Sequence, residues 1–472
     1  MAILETSPRQ VRILKCAILS PGLINRASDA KSKAAIAGGI NILPYVLKID
    51  LYESIFDNTI SGIVTMMENV GLTEVIPIVG VETIGLVFQV DNVDGTDAMT
   101  FNRVFRVIGL KNQAFPRHDF RLYELHLATS EFVQSISKRI CRAFHDVSCV
   151  DAVQNILAND LGVTDPTRVE IEPTYSTVDV VIPNYTPLMA INYFAMLAQT
   201  TTGKLESNFL FYETMLGGFH FKSISAMIQA GLDAPTLPIF NVDSGSITSA
   251  PEVLQSDVMQ NVMKVHQEQG FDLLFDIASG GLRSRLVHFD FLARKFHDHE
   301  EDSRYTKTFD RTTHLDKFPV YPRNFDLSVE KDVRVFMVPS NVWTRKSPYV
   351  NNADAQPEQR MHEAIMLRNR QLKEIKHVET LLDLPGSPTL QSGSVIRVNY
   401  PSSRVIQGLD TTINVPLNSP PTPYYSGKHL VTAIHHILST TSPNAMEYRM
   451  TVKVNRDSFG SPLISTPDSS ET

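Results

Sequence analysis

One pattern near the end of the chain constrains its fold more tightly than any other. Leu430, Thr432, Ile434, His436 and Leu438 alternate with their neighbours. After a short break, Met446, Tyr448, Met450, Val452 and Val454 do the same, opposite Glu447, Arg449, Thr451 and Lys453. Side chains on a strand point to alternate faces, so a period of two means one buried face and one wet face. The two runs read as an antiparallel hairpin, and a β-rich domain is expected around it.

A second β-rich region lies near the start. Residues 1–40 are mixed and show no clear period. From Leu43 to Val90 the pattern becomes strand-like, and Ile84, Leu86, Phe88 and Val90 alternate cleanly. Gly62, Gly71, Pro77 and Gly80 punctuate it at spacings typical of barrels and sandwiches. Asp94-Gly95 is a turn signal. Strands are expected over Phe101–Leu110 and Phe120–Ala128, giving a first β domain of residues 1–128.

The pattern then turns helical. Ser130 is a candidate cap, with Phe132, Ile136 and Ile140 on one face. Val150–Asn159 forms a second helix, with Val153, Ile156 and Leu157 apolar, ending before Gly162. Val178, Val180 and Ile182 predict a strand ended by Pro183. Thr186 caps the next helix with Pro187 in its first turn, where the missing N–H costs nothing. Leu188, Ile191, Phe194, Ala195 and Ala198 share its apolar face, and Gly203 is read as its end. Phe209–Glu213 and Gly218–Lys222 flank Met215–Leu216–Gly217 as a hairpin. This middle part spans 129–270. Its 231–262 stretch, rich in Pro, Ser and Asp, reads as a loop or arm.

Further on, Val262–Phe275 is ambiguous between helix and strand. A strand is expected within Gly281–Phe291, a polar excursion over 296–360, and a charged helix over Gln359–Glu374. Ile375–Leu384 and Gly393–Tyr400 read as strands, the latter with Ile396, Val398 and Tyr400 on one face. Residues 401–426 are proline-rich, and the last dozen, from Gly460, form a Ser/Pro/Thr-rich tail.

Composition excludes several classes. A hydrophobic content of 43% with 20% charged residues predicts a folded chain. The net charge of −8 argues against a general nucleic-acid binder. Cys16, Cys141 and Cys149 are scattered and odd in number, which gives neither a disulfide framework nor a zinc knuckle; each reads as a small buried hydrophobe. There is no apolar run of about 18 residues to cross a membrane. The N-terminus, with Glu5 early and Pro21-Gly22 breaking its apolar patch, is not a signal peptide. No period of about 20–50 residues repeats.

Candidate chemistry is sparse. His297-Asp298-His299-Glu300-Glu301 offers imidazole and carboxylate in five residues. Metal sites draw ligands from separated elements, whereas consecutive residues on a strand point to opposite faces. A solvated charged loop is the better reading. His435-His436 has the same geometry problem. Asp243–Ser246 lacks the strand-to-helix setting of a nucleophile elbow. There is no phosphate-binding glycine loop, and Glu68 and Glu74 have no distinguishing setting. No group of residues meets the requirements of a reaction class, so the expectation is a protein that is not an enzyme, with no catalytic, cofactor-binding or metal-binding residues.

Four segments resemble the central baseplate hub protein of contractile-tailed bacteriophages of the T-even type. They are residues 49–88 (IDLYESIFDNTISG, then GLTEVIPIVGVETIGLVF) and 105–144 (FRVIGL, then FRLYELHLATSEFVQSISKRICRAF). The third is the stretch VVIPNYTPLMAINYFAMLA with the FLFYE and GFHFKSI hairpin. The last runs from SGSVIRVNYP to GKHLVTAIHHILS and MEYRMTVKVNRDS. Together they cover most of residues 45–458.

The resemblance implies an α+β, mainly β chain with two β-barrel (tube-like) domains and an inserted helical region, assembling as a trimeric pseudo-sixfold ring. By that analogy the first barrel is 1–128 and the second is split over 271–295 and 375–458. The middle domain is 129–270, with the excursion 296–374 packed on it and 459–472 a flexible tail. The implied function is structural, adapting a sixfold tail tube to a threefold spike and lining part of the DNA ejection channel. Implied partners are two further copies, a central spike protein, a tail tube or tube-initiator protein, and surrounding baseplate wedge proteins. DNA would pass without specific binding, and no membrane anchor is implied. The implied location is the virion tail, after assembly in the host cytoplasm. A related contractile injection or secretion machine is the neighbouring alternative. A metal-dependent hydrolase built on His297, His299 and Glu300 is the alternative of another class.

Overall fold

The computed structural model describes residues 9–21, 39–75, 78–90, 99–117, 119–175, 177–201, 206–216, 218–242, 261–269, 274, 285–290, 294–299, 309, 312–320, 335–339, 357–400, 425–442 and 445–460. The fold is mainly β. In the first part the strands are β1 (Arg9–Leu19), β2 (Ile40–Asn41), β3 (Val46–Ser54), β4 (Ser61–Glu68), β5 (Thr83–Val90), β6 (Met99–Arg117) and β7 (Phe120–Thr129). The middle part holds β8 (Ile140–Ser148), β9 (Val169–Ile171), β10 (Thr177–Tyr185), β11 (Phe209–Thr214) and β12 (Gly218–Ser223). Its helices are α1 (Ser130–Ser137), α2 (Cys149–Asn159), α3 (Pro187–Leu197) and α4 (Ile224–Asp233). Then follow β13 (Ile239–Asn241), β14 (Lys264–Gln269), β15 (Arg285–Asp290), β16 (Lys295–His299), β17 (Phe318–Pro319) and β18 (Val335–Pro339). The remainder is α5 (Pro357–Glu374), β19 (Val378–Pro385), β20 (Val395–Asn399), β21 (Gly427–Ser442), β22 (Ala445–Arg456) and β23 (Ser458–Phe459).

Thirteen of the described strands belong to one sheet, and its topology turns on the β21–β22 hairpin. The tip half of the hairpin closes an antiparallel ring, β1-β5-β6-β7-β4-β3-β21-β22, because Ala433–Ser439 pairs with β3 and Met446–Tyr448 with β1. Its base half enters a second ring. There Leu430 pairs with Val395 of β20, and Arg449–Arg456 pairs with β19. The second ring runs β21-β22-β19-β14, then crosses by a bridge between Asn261 and Asn241 to β13 and β20. Two barrels thus share one hairpin. Full closure removes the unpaired strand edges that would otherwise recruit other chains.

The inward positions are those that the alternation marks. Ile84, Leu86, Phe88 and Val90 on β5 are buried, as are Leu430, Ile434, Leu438, Tyr448, Met450, Val452 and Val454 on the hairpin. All but Leu430 join one continuous apolar core that runs through both barrels; Leu430, beyond a register shift in β21, belongs to a separate cluster with Ile55, Tyr212, Ile375 and Val395.

The middle part has its own core. Ser148 caps α2 by accepting the Asp151 N–H, and Thr186 caps α3 by accepting the Met189 N–H. Leu188, Ile191, Phe194, Ala195 and Ala198 are all buried, and Phe194 meets Phe144 of β8 edge-to-face. Behind α3, β11 and β12 pair from Phe209↔Ser223 to Thr214↔Gly218.

Several sequence readings differ from the structure. The strand at 177 does not stop at Pro183. It continues to Tyr185 through a break in register, with Asn184 at φ 57°, so the missing proline N–H falls where the ladder is interrupted. The helix α3 ends at Leu197 rather than at Gly203, which lies outside the described residues. The Ser207 hydroxyl donates to the Ala198 and Met196 carbonyls there, so no glycine is required. In α1 the residue Ser130 is helical, not the cap; Ile136 is exposed and Ile140 belongs to β8. The buried position of α1 is Ser135, which accepts the Leu188 N–H. Within 231–262, β13 is a strand of the main sheet. Cys16 and Cys149 are buried as expected, but Cys141 is exposed. Asp94-Gly95 and most of 401–426 lie outside the described residues.

Candidate functional site: the junction of barrel and middle part

The turn of the β11–β12 hairpin inserts against the first barrel, where three charged side chains hold it. Glu53 stands on β3 in step with the buried Ile49 and Leu51 and is itself buried. Its two oxygens accept the Met215 N–H and the Ser392 N–H, each at 2.7 Å. Nε2 of His436, on the inner face of β21, lies 3.7 Å from the same carboxylate, and its Nδ1 shares a hydrogen bond with the Tyr448 hydroxyl. Burial alone would push the Glu53 carboxyl up. The His436 ring and the two backbone donors outweigh it and hold the carboxyl below the usual range.

Arg103 of β6 reaches the same turn from the other side. Nη2 donates to the Thr214 carbonyl at 2.6 Å and to the Met215 carbonyl at 2.9 Å. Nη1 stands 3.6 Å from Glu213, whose other oxygen accepts the Ile60 N–H. Glu213 is buried, and burial pushes its carboxyl up to about 7 against the pull of Arg103. A charge with several hydrogen bonds is geometrically strict, so this junction fixes the angle between barrel and middle part.

A second polar cluster ties α5 and the end of the hairpin together. The Asp457 carboxylate takes His314 Nδ1 at 3.0 Å and the Leu315 N–H. Arg456 bonds Asp316 at 2.8 Å and the Tyr425 carbonyl at 3.0 Å. On α5, Arg370 pairs with Glu374, and Arg368 donates to the Ser207 and Phe209 carbonyls of the middle part. Burial next to Arg456 pushes His429 down to about 3, so it stays neutral.

The residues singled out from sequence are placed elsewhere. His297 and His299 lie on β16, with His297 opposite His288 of β15. Glu300 lies outside the described residues. Among the described residues no group of three or more His, Cys, Asp and Glu stands together as a metal site. His435 and His436 face opposite ways: His435 bonds Asp50 at 2.7 Å and stacks on Tyr52, while His436 points inward. Asp243–Ser246 is not described. Glu68 is buried and accepts the Val70 and Leu72 N–H groups, and Glu74 pairs with Arg121.

One arrangement has the connectivity of a catalytic triad. His220 lies 3.0 Å from the Thr214 hydroxyl and 3.1 Å from Glu170. Thr214 is wholly buried and already bonded to Gln391, so substrate has no path to its oxygen. The group serves to brace the hairpin.

Sequence reasoning passed over Glu53, Glu213 and Arg456. Each carries a charge on the apolar parity of its strand, and that signal was present in the alternation itself.

No protein-family model matches the chain, and no curated protein matches it. Solved structures with a partial likeness to this chain include phage tail proteins and a secretion-system component. The tail protein of Neisseria meningitidis is 8% identical, with 95% of this chain and 97% of that one covered at a TM-score of 0.49. The 43 kDa tail protein of a Shewanella oneidensis prophage is 10% identical over 87% and 94%, at 0.45. A component of the Escherichia coli type VI secretion system, described as similar to the phage T4 tail proteins gp27 and gp5, is 10% identical over 89% and 76%, at 0.40.

Proposed function

We propose that the chain is a structural component of a phage tail, the central hub of its baseplate, acting as a homotrimer. The observation that supports it is the shared β21–β22 hairpin, which holds two barrels side by side in one chain. Three such chains around a threefold axis place six barrels in a ring, so one surface meets a sixfold tube and another a threefold spike. The partners would be the spike protein, the tube or its initiator and the wedge proteins of the baseplate, in the virion after assembly in the host cytoplasm. The acidic balance of the chain suits a channel through which DNA moves without sticking. No chemistry is assigned to it: the Thr214 triad is sealed, and the junction carboxylates are occupied by backbone donors.

The test is the mass of the purified chain, alone and with its spike, by light scattering. A ring of roughly three times 52.7 kDa, seen as six lobes by negative stain, is expected. A stable monomer that binds neither spike nor tube partner overturns the reading. The same barrel pair would serve a contractile secretion machine, and the genes that neighbour this one separate the two.

A further inference from the structure

We propose that residues 312–320 form a strap latched over α5 and the end of the β21–β22 hairpin by the His314–Asp457 ion pair, and that the strap lifts when this pair loses its charge in alkaline solution. The latch does not depend on the role proposed above.

The strap is held mostly by polar bonds. Of residues 312–316 only Leu315 is apolar, and it shares a buried cluster with Ile375 and Leu430. The others bond outward to three parts of the fold. Thr313 donates its N–H to Glu206 of the middle part. The Thr312 hydroxyl accepts from Arg370 of α5 at 2.8 Å. Asp316 donates its N–H to the Ser458 hydroxyl at 2.7 Å and takes Arg456 on its carboxylate at 2.8 Å. Beyond them β17 pairs with β23.

His314 lies at the centre of these bonds, its side chain 5% exposed and that of Asp457 7%. Nδ1 faces the Asp457 carboxylate and Nε2 faces the Phe309 carbonyl, both at 3.0 Å. Both partners only accept hydrogen bonds, so the geometry calls for a hydrogen on each nitrogen, which is the imidazolium. The Thr312 hydroxyl stands 2.8 Å from Nε2, but it can donate there only by giving up the same Phe309 carbonyl, 3.2 Å away. The Phe309 ring stacks on the imidazole at 3.8 Å, a contact that favours the cation. Burial alone would pull the proton off. Asp457, with Glu374 of α5 behind it, outweighs burial and the nearby Arg370 and holds His314 above its usual 6.5. The remaining charges of the cluster are matched apart from it: Asp316 with Arg456, and Glu206 with the Thr313 N–H.

Deprotonation leaves Asp457 buried without this counter-charge and takes a donor from the Phe309 carbonyl. A histidine raised on folding contributes fully below its ordinary value of 6.5, and the contribution fades as pH rises through the raised one. Asp457 behaves in the opposite sense. Its burial is outweighed by His314, Ser458 and Leu315, so it keeps its charge below the usual 3.8. The latch is therefore closed in mildly acidic solution and opens on the alkaline side. Burial also raises Glu374, whose charging would act in the same direction and needs its own variant.

Hydrogen exchange of the full chain, read by mass spectrometry at pH 6 and pH 9, tests the latch, with each peptide corrected for the intrinsic rate at that pH. In wild type, protection over 312–320 and 456–459 should fall about fivefold or more from pH 6 to pH 9, while β5 keeps its protection. His314→Gln cannot charge, and should be weakly protected there to the same degree at both values. Asp457→Asn keeps the side-chain shape and should flatten the step as well, which serves as the test if the glutamine variant fails to fold. Glu374→Gln should retain the step. The proposal is overturned by equal wild-type protection at the two pH values, by a step that survives in the His314 or Asp457 variant, by a step lost in Glu374→Gln, or by a fall shared equally by β5.

Discussion

Met215 donates its backbone N–H to the Glu53 carboxylate at 2.7 Å across 162 residues of chain. The other oxygen of Glu53 takes the Ser392 N–H, so one side chain joins three distant segments. Replacing it with leucine strands both buried donors. Glu53→Leu is expected to lower unfolding free energy by about 3–5 kcal/mol, and Glu53→Gln by less, since the amide keeps one acceptor. Urea unfolding measures both. A loss under about 1 kcal/mol for the leucine variant would show that the junction is not held by these bonds.

Glu213 gives a pH signature. Its carboxyl is raised from 4.5 to about 7 in the folded chain. The native state therefore keeps a proton that the unfolded state releases. Its contribution to stability is fully present below about 4.5, falls as pH rises, and is gone above about 7. Glu213→Gln cannot titrate. The difference in stability between wild type and this variant should shift against wild type from pH 5 to pH 8 and then level off. A difference constant across that range would place Glu213 in a solvated setting.

The face of α3 is tested at Phe194, fully buried against Phe144. Phe194→Ala is expected to cost about 3–5 kcal/mol. Phe194→Asp should abolish folding of the middle part, because a lone carboxylate there has no partner. Circular dichroism and limited proteolysis read the outcome, and a normally folded aspartate variant would show that this face is not packed.

Gly386 tests whether the two barrels unfold as one. A Cβ there would lie 2.0 Å from Cδ1 of Tyr448, a fully buried ring on the shared hairpin. Gly386→Ala should cost at least the roughly 1–3 kcal/mol of an overpacked core. The loss should appear in both barrels together, as one shifted transition in denaturant. Two separated steps, with only one of them moved, would show that the barrels melt independently.

Much of this architecture was legible locally. Alternation marked β5, β21 and β22, and the Thr186–Pro187 signal marked the start of α3. What periodicity does not carry is the identity of a strand's neighbour. His435 bonds Asp50 across 385 residues, and no local signal joins those two positions. The sharing of one hairpin between two barrels was hidden for that reason. The polar junction was half legible. Glu53 falls in step with Ile49 and Leu51, and Arg456 with Val452 and Val454, which marks both as buried charges. Their partners are backbone groups of remote segments together with the distant Asp316 and His436 side chains, and no local pattern announces either.

The shared hairpin also sets an order of events during synthesis. β1 and β3–β7 leave the ribosome as an open sheet whose two free edges, β1 and β3, face a gap that only β22 and β21 fill. More than 290 residues of chain separate β7 from that closing hairpin. Throughout that interval the first barrel is a template for any passing strand. A chain released before Gly427 would therefore be prone to aggregate rather than merely incomplete, because those edges stay open until the last strands arrive.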